Sequence, residues 1–179
     1  MKFLETPLSG LYVLELETLQ DDRGFFARSF CANEFKTIGL DSAIAQCNIS
    51  FNEKAGTLRG LHFQAPPHEE AKLIRCTRGG IYDVAVDLRP NSATYLRWYA
   101  VDLTMDNRRM LFVPRGFAHG FQTLVDSTEV FYLMFEFYHP ESARGLRWDD
   151  PTLAISWPLN SVTISDKDRM LPLIDRMQK

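Results

Sequence analysis

The stretch KLIRCTRGGIYDVAVDL, residues 72–88, contains two apolar runs on either side of a glycine pair. β-branched residues favour extended strands, and adjacent glycines favour a tight turn between two strands. The sequence therefore predicts a β-hairpin with strands at Lys72–Thr77 and Ile81–Leu88, joined at Arg78-Gly79-Gly80. This hairpin indicates an all-β protein, and the flanking sequence supports that class.

Short apolar or alternating runs continue beyond the hairpin, separated by turn residues, with almost no helical periodicity from about residue 40 to about residue 160. This pattern is typical of an all-β sandwich or barrel. Two short helices are predicted at its margins. One has Asn33 as its N-cap and ends before Gly39, and a last helical turn is capped by Ser165 or Asp166.

The predicted strand Val130–Tyr138 has the clearest alternation of side chains. Successive residues of a strand point to opposite faces of the sheet. The face predicted to be buried carries Phe131, Leu133, Phe135 and Phe137. The opposite face, which includes Tyr132, Glu136 and Tyr138, is predicted to line a polar cleft.

Composition limits the possible classes of protein. A chain of 179 residues with 45% hydrophobic residues suits a single domain, residues 1–179. A net charge of -3, with both signs mixed, argues against general nucleic-acid binding. No apolar run is long enough to span a membrane, and Glu5 and Pro7 interrupt any signal-peptide layout, so we expect a cytoplasmic protein. The three unevenly spaced cysteines predict neither a disulfide framework nor a structural zinc.

The run TLRGLHFQ, residues 57–64, places Arg59 and His62 within one predicted strand. Arginine offers a fixed fork of donors to phosphate or carboxylate, and histidine exchanges a proton near neutral pH. A cavity that receives both side chains could hold an anionic substrate and perform proton chemistry on it. Strict alternation places the two on opposite faces. Gly60 between them could allow a bulge that turns one of them, and the sequence leaves this open.

The other histidines give weaker signals. His119 lies in a strand-like run, as His62 does, and each taken alone is most simply a core histidine bonded to a carbonyl or a carboxylate. His68 and His139 stand beside prolines and are predicted to lie in solvent. A metal at His62 and His119 would need further ligands in register. Gln64 stands where one would be expected, and the Glu69-Glu70 pair is assigned to a Pro-rich loop, so we rank a metal centre below a metal-free acid–base site.

An acid–base site needs a base, an acid and a group that stabilises developing charge. His62 is the candidate base and Tyr132 the candidate acid, while Lys72 could stabilise an enolate oxygen. Asp83 could orient a histidine, and the residues alone leave open which one. Each also has a plainer interpretation as a half-buried tyrosine, a surface lysine or a structural carboxylate.

These residues occur in an order that closely resembles the dTDP-4-dehydrorhamnose 3,5-epimerase family, from about residue 5 to about residue 170. The motifs that carry the resemblance are DRGFF (22–26), LRGLHFQ (58–64), Lys72, YDVAVDLR (82–89), VPRGFAHGF (113–121), Tyr132, WP (157–158) and ISDKD (164–168). Each motif alone is weak, and the ordered set is specific.

The resemblance implies a cupin jelly roll that forms a homodimer with exchanged N-terminal strands. It implies no metal and no organic cofactor, and a substrate that is a nucleotide-diphosphate sugar, a 4-keto-6-deoxyhexose. By motif, His62 is the base, Asp168 its charge partner and Tyr132 the acid on the other face of the sugar. Lys72 resembles the residue that stabilises the enolate.

The resemblance also implies a set of substrate-binding residues. They are Arg23, Phe26, Gln46, Asn48, Arg59, Asp83, His119 and Tyr138. Asp83 and His119 match a second Asp–His pair, and Arg59 matches a diphosphate contact. Arg23 and Phe26 are expected to reach the partner subunit's site. Gln46 and Asn48 match polar lining residues, and Tyr138 lies where an aromatic ring packs on the nucleobase.

Three positions depart from the family pattern: Arg28 replaces a frequent Glu, Cys47 a frequent Asp and Leu133 a frequent Lys. The proton-transfer residues are therefore intact, while the residues expected near the nucleobase are altered. The main hypothesis is 3,5-epimerisation of dTDP-4-dehydro-6-deoxy-D-glucose. The alternatives are a single-site epimerase or 3,4-ketoisomerase on another nucleotide sugar, a non-catalytic sugar-nucleotide-binding cupin, and a metal-dependent cupin oxygenase.

Overall fold

Antiparallel β-strands dominate the computed structural model, which describes residues 1–160 and 163–176. Within these ranges it has thirteen strands and two short α-helices. The strands are β1 (Lys2–Glu5), β2 (Tyr12–Glu15), β3 (Thr18–Asp21), β4 (Gly24–Ala27), β5 (Gln46–Asn52), β6 (Leu58–Gln64), β7 (Lys72–Arg78), β8 (Gly80–Asp87), β9 (Trp98–Thr104), β10 (Met110–Val113), β11 (Phe117–Thr123), β12 (Thr128–Met134) and β13 (Ala143–Gly145). The helices are α1 (Ala32–Thr37) and α2 (Asp166–Arg169), and a 3₁₀ turn follows at Ile174–Arg176.

Two large sheets enclose the main core. One has six strands in the order β1-β2-β10-β7-β12-β5, and the other has five in the order β13-β6-β11-β8-β9. Their facing side chains form one buried cluster, to which Ile74 and Val130 come from the first sheet and Ile81 and Phe121 from the second. Burial of apolar surface between two sheets is the main stabilising contribution in such a sandwich. The predicted all-β class is confirmed.

The hairpin predicted at residues 72–88 is wrong, although both of its strands exist. β7 pairs with β10 and β12 in the six-stranded sheet, whereas β8 pairs with β11 and β9 in the five-stranded sheet. Gly79, with φ +76°, turns the chain from one sheet to the other, and a Cβ there would lie 2.4 Å from Oγ1 of Thr128. Apolar residues of both strands face the same core, so pairing with distant strands prevails over local pairing.

The short helices lie close to their predicted positions. α1 begins after Cys31, so the prediction of Asn33 as N-cap is wrong. The carbonyl oxygen of Cys31 accepts the first helical hydrogen bond, from the backbone N–H of Phe35 at 3.1 Å. Gly39 ends it at φ +76°, as predicted. Ser165 caps α2, accepting a 3.1 Å hydrogen bond from the backbone N–H of Asp168. No helix within residues 1–160 and 163–176 is long and apolar enough to cross a membrane.

The strand predicted at Val130–Tyr138 ends early, at Met134. Beyond it, the backbone N–H of Phe137 donates to Oε1 of Glu136 instead of a neighbouring strand. Phe135 is buried as predicted, but Phe137 is 59% exposed, and Phe131 and Leu133 are only half-buried. The predicted apolar packing face is therefore only partly confirmed.

Asp87, at the end of β8, is a fully buried charge that ties down the following loop. Its carboxylate accepts hydrogen bonds from Arg89, Ser92 and Thr94 at 2.6–2.8 Å. Burial alone would raise the pKa of Asp87, but these hydrogen bonds outweigh it and hold the pKa at about 2. A lowered pKa stabilises the fold at every pH where the unfolded carboxyl is ionised.

Asp87→Asn is therefore expected to lower the free energy of unfolding at pH 7 by about 2–3 kcal/mol, the equivalent of a shift of about two pKa units. The stabilisation is complete above pH ~4 and fades as pH falls through the folded pKa, so the two proteins should converge toward pH ~2. Urea unfolding at pH 7, 4 and 3 measures this. Asp149→Asn, which removes a solvent-exposed ion pair with Arg147, should cost less than about 1 kcal/mol. Equal losses of unfolding free energy at pH 7 in Asp87→Asn and Asp149→Asn would contradict the prediction.

Candidate active site

A cavity of about 430 Å³ is lined by residues of both large sheets and of α2. Its polar lining comes from Asn48, Ser50, Arg59, His62, Lys72, His119, Tyr132, Ser165, Lys167 and Asp168. A second cavity of about 510 Å³ adjoins it, since Asn48, His62, Met134 and Lys167 line both. The strand residues predicted to carry the chemistry therefore converge on one space.

His62 and Asp168 form an acid–base pair in this cavity. Nε2 of His62 lies 2.8 Å from Oδ1 of Asp168, across 106 residues of sequence. Burial alone would raise the pKa of Asp168, but the bonds from His62 and from the backbone N–H of Gly60 outweigh it and hold that pKa below its usual range. The ionised carboxylate fixes the imidazole ring and stabilises its protonated form.

A bulge at Gly60 brings Arg59 and His62 into the same cavity. His62 pairs with His119 on β11, whereas Arg59 pairs with Phe121, and the register shifts between the two pairs. The bulge that the sequence left open is present. Gly60 has φ +125°, and a Cβ there would lie 2.6 Å from Cα of Gly120. Only glycine permits β6 and β11 to approach this closely.

Gly60→Ala should be strongly destabilising and should also lower activity, because its Cβ would push β6 away from β11 and displace His62. Gly39→Ala is the control, since Gly39 also has a positive φ, +76°, with nothing within 4 Å of its Cβ position. The control measures backbone strain alone, about 1–3 kcal/mol, and Gly60→Ala adds about 1–3 kcal/mol of overpacking. Urea unfolding measures the free energy of unfolding of both variants. Equal losses of stability would show that the close approach of β6 to β11 at Gly60 does not matter.

His119 has its own carboxylate, Asp83, behind it. Nε2 of His119 lies 2.7 Å from Oδ1 of Asp83, and both side chains are buried. The sequence left open which histidine Asp83 orients, and the structure shows that it is His119. The other carboxylate oxygen, Oδ2, is buried and has no partner among the described residues.

Tyr132 meets the edge of the His119 ring, with centroids 6.3 Å apart at 81°. Burial, together with the negative charge of Asp83, raises the pKa of Tyr132 well above its ordinary value. Its phenol is therefore protonated at neutral pH and is suited to donate a proton. It comes from the six-stranded sheet, whereas His62 comes from the five-stranded sheet. The base and the acid candidates thus stand on different walls of the cavity.

Lys72 forms an ion pair that sequence reasoning missed. Its Nζ lies 2.8 Å from Oε1 of Glu70, and both side chains are less than 10% exposed. Glu70 had been assigned to a Pro-rich loop together with Glu69. Arg115 donates to the carbonyl oxygen of Glu69, and the backbone N–H of Phe135 donates to Ala71, so this segment is anchored. The spacing of Glu70 two residues before Lys72 is the signal that could have indicated the pair.

Positive groups predominate on the free lining of the cavity. Arg59 is held by Oδ1 of Asn52, 2.7 Å from its Nε, and its remaining donors are directed to the backbone of Phe51 and the cavity. Lys167, another residue missed from sequence, lines both cavities and directly precedes Asp168. Such a lining suits an anionic ligand.

The adjoining cavity contains two more of the predicted residues. Tyr138 is 61% exposed, and its backbone N–H donates to Oε1 of Gln46 at 2.7 Å. Both residues line this cavity, and Asn48 lines both cavities. An exposed ring beside a cleft is free to stack on a planar group.

Arg23 and Phe26 are not brought to either cavity within this chain. They lie on the β3–β4 hairpin, where the Arg23 side chain is 90% exposed and Phe26 is 71% exposed. The substituted positions Arg28 and Cys47 do not line the two cavities either, and Arg28 pairs with Glu34 at 3.3 Å.

Known proteins of one family are similar to this chain over nearly its whole length. The family model for dTDP-4-dehydrorhamnose 3,5-epimerase matches residues 5–176. A dTDP-4-dehydrorhamnose 3,5-epimerase of Methanothermobacter thermautotrophicus is 47% identical over 171 residues, covering 94% of this chain and 91% of that protein.

Two solved structures are similar throughout. The dTDP-4-dehydrorhamnose 3,5-epimerase of Bacillus anthracis with TDP and PPi bound has a TM-score of 0.93 at 46% identity, covering 97% of this chain and 99% of its own. A dTDP-6-deoxy-D-glucose-3,5-epimerase of Legionella pneumophila in complex with dTDP-4-keto-L-rhamnose has a TM-score of 0.91 at 37% identity, covering 97% and 93%. With its two-sheet cupin jelly roll, the chain belongs to the dTDP-4-dehydrorhamnose 3,5-epimerase family.

Proposed function

We propose that this protein epimerises dTDP-4-dehydro-6-deoxy-D-glucose at C3 and C5, giving dTDP-4-dehydro-L-rhamnose. The observation that carries the proposal is the arrangement of one cavity, with the His62–Asp168 pair on one wall and protonated Tyr132 on the other. A proton can then leave one face of a sugar carbon and return to its opposite face.

The 4-keto group makes the neighbouring C–H bonds acidic. His62 takes the proton from C3 or C5, and the electron pair of that C–H bond moves into an enolate whose negative charge rests on O4. The ammonium of Lys72 lies in the same cavity and stabilises such a charge. Tyr132 then donates its proton to the carbon from the other side, and solvent restores both residues. Asp168 holds the His62 ring throughout.

The nucleotide part fits the positive and aromatic lining. Arg59 and Lys167 supply donors for a diphosphate, and Tyr138 supplies a ring for the base in the adjoining cavity. The Bacillus anthracis relative was solved with TDP and PPi, and the Legionella pneumophila relative with dTDP-4-keto-L-rhamnose. These ligands support a thymidine diphosphate sugar as the substrate here.

The test is product formation from dTDP-4-dehydro-6-deoxy-D-glucose, followed by proton and carbon NMR, with dTDP and UDP as competitors. The proposal predicts inverted C3 and C5 and inhibition by dTDP at lower concentration than by UDP. A carbonyl that has moved to C3 would instead assign a ketoisomerase, and dTDP binding without turnover would assign a binding protein.

We also propose that the chain is one cupin domain, residues 1–179, and acts as a homodimer with exchanged N-terminal strands. The β3–β4 hairpin supports this, because it pairs only with itself among the described strands and exposes Leu19 and Phe26, each at 71%. An isolated two-stranded hairpin is marginal in water, so a covering partner would stabilise it. Arg23 at its tip would then reach the partner subunit's cavity.

Mixing two inactive variants tests this exchange. In a dimer of one Arg23→Ala chain and one His62→Asn chain, the first chain keeps His62 and receives an intact Arg23 from its partner. Refolding the two variants together should therefore recover activity that neither shows alone, up to about one quarter of wild type for random pairing of equal amounts. If Arg23 serves its own chain, the mixture will be no more active than the average of the two variants.

A further inference from the structure

His68 and His139, which were predicted to lie in solvent, come together next to Gln64 and Tyr138, two residues that line the adjoining cavity. Their rings stack with centroids 3.5 Å apart and planes 10° from parallel. Glu141 joins them, with its Oε1 3.2 Å from Nδ1 of His139 and 4.0 Å from Nε2 of His68. One ligand atom from each residue lies within 4.8 Å of the others. Both histidines lie outside strands, as predicted, but their side chains are only 33% and 29% exposed, so the prediction that they lie in solvent is only partly confirmed.

A buried amide holds the two histidine backbones in place. Gln64, 5% exposed, donates from Nε2 to the carbonyl oxygen of His68 at 2.9 Å, and its Oε1 accepts the backbone N–H of His139 at 2.6 Å. The carbonyl of His139 in turn accepts the N–H groups of Ser142 and Ala143. That turn brings Glu141 back toward the two rings, so the cluster is built on a fixed frame.

We propose that His68, His139 and Glu141 form a Zn²⁺ site. Two imidazole nitrogens and one carboxylate oxygen are a donor set that zinc accepts, with water completing a tetrahedron. Bonds of about 2.0–2.2 Å place neighbouring ligand atoms about 3.3 Å apart. The distance of 3.2 Å between Nδ1 of His139 and Oε1 of Glu141 already matches this spacing.

Binding requires the two rings to tilt out of their stack, because a metal–nitrogen bond lies in the plane of its imidazole. The required movement is confined to side chains. The Glu141 side chain is 67% exposed and has room to rotate, and the side chain of His68 is 33% exposed. The guanidinium of Arg144 donates to the backbone carbonyl oxygens of Glu141 and Ala143. These hydrogen bonds leave the carboxylate of Glu141 available to a metal ion.

Zinc at this place would tie the loop after β6 to the segment that carries Tyr138. Gln64, which frames the cluster, lies two residues after His62 on the same strand. The site is distinct from the His62–Asp168 pair, since none of its three ligands lines the 430 Å³ cavity. It does not depend on the proposed function.

The experiment uses the untagged full chain, stripped with EDTA and desalted, and titrated with ZnCl₂ in a calorimeter. Wild type should bind one Zn²⁺ per chain at this site, and His68→Gln and His139→Gln should each lose it. His62→Gln is the matched control, which removes the strand histidine and should keep the site. Failure of wild type to bind, or full binding retained in His68→Gln and His139→Gln, would overturn the proposal.

A second measurement needs no variant. In ¹⁵N-labelled wild type, ¹H–¹⁵N spectra of the imidazole groups report each ring separately. Zinc should shift the nitrogens of two rings, His68 and His139, and leave those of His62 and His119 in place. Shifts confined to His62 and His119 would assign zinc to the catalytic cavity and refute the proposed site.

Discussion

Replacing His62 with asparagine is expected to lower kcat by about 10²–10⁴-fold, the usual contribution of a general base. Asparagine keeps a polar side chain at the position but cannot accept the sugar proton. The residues proposed to contact the diphosphate and the base are Arg59, Lys167 and Tyr138, not His62, so the Kd for dTDP should change little. Initial rates by NMR and dTDP titration by calorimetry measure the two quantities.

Two aspartates on α2 provide the control for this assignment. Asp168→Asn removes the carboxylate 2.8 Å from His62 and should also reduce kcat strongly, because the ring loses its orientation and its charge partner. Asp166→Asn changes an exposed carboxylate on the same helix and should keep nearly full activity. Near-normal turnover by His62→Asn, with its folding confirmed by thermal unfolding, would rule out His62 as the base.

Tyr132→Phe is expected to separate proton removal from inversion. Without the phenol, His62 can still take the proton and return a solvent deuteron to the same face of the carbon. Formation of inverted product should therefore fall by about 10²–10⁴-fold, while exchange of the sugar proton with D₂O continues. Proton NMR of the recovered substrate and product gives both rates in one experiment.

Tyr82→Phe is the matched control, since Tyr82 packs edge-on against Trp157 and lines neither of the two cavities. It should leave both exchange and inversion unchanged. If Tyr132→Phe loses exchange and inversion equally, the tyrosine takes part in proton removal itself, and the division of roles between the two walls is wrong.

Local sequence patterns were sufficient to predict the class of the fold and much of its strand content. Alternation correctly turned Tyr132 toward the cavity, and Gly60 marked a place where a bulge could reconcile Arg59 with His62. Turn chemistry narrowed the cap of α2 to Ser165 or Asp166, and the structure shows that it is Ser165. These features depend on the conformational preferences of a few neighbouring residues, which a sequence shows directly.

Features that depend on distant pairing were not accessible in the same way. β7 and β8 look like a hairpin, yet each pairs with strands far along the chain. His62 meets Asp168 across 106 residues, and only the family resemblance indicated that contact. The Glu70–Lys72 ion pair and the stacking of His68 on His139 were not predicted, because the composition of a loop does not indicate which residues pack against it.

The most direct test of the central claim is deuterium incorporation by the wild-type protein. The protein is incubated with dTDP-4-dehydro-6-deoxy-D-glucose in D₂O, and label is located by mass spectrometry and proton NMR. A cavity that removes protons next to the 4-keto group and returns them from solvent predicts deuterium at both C3 and C5 of inverted product. Label at one carbon alone would indicate a single-site epimerase, and no label at either carbon in a protein that binds dTDP would contradict the account.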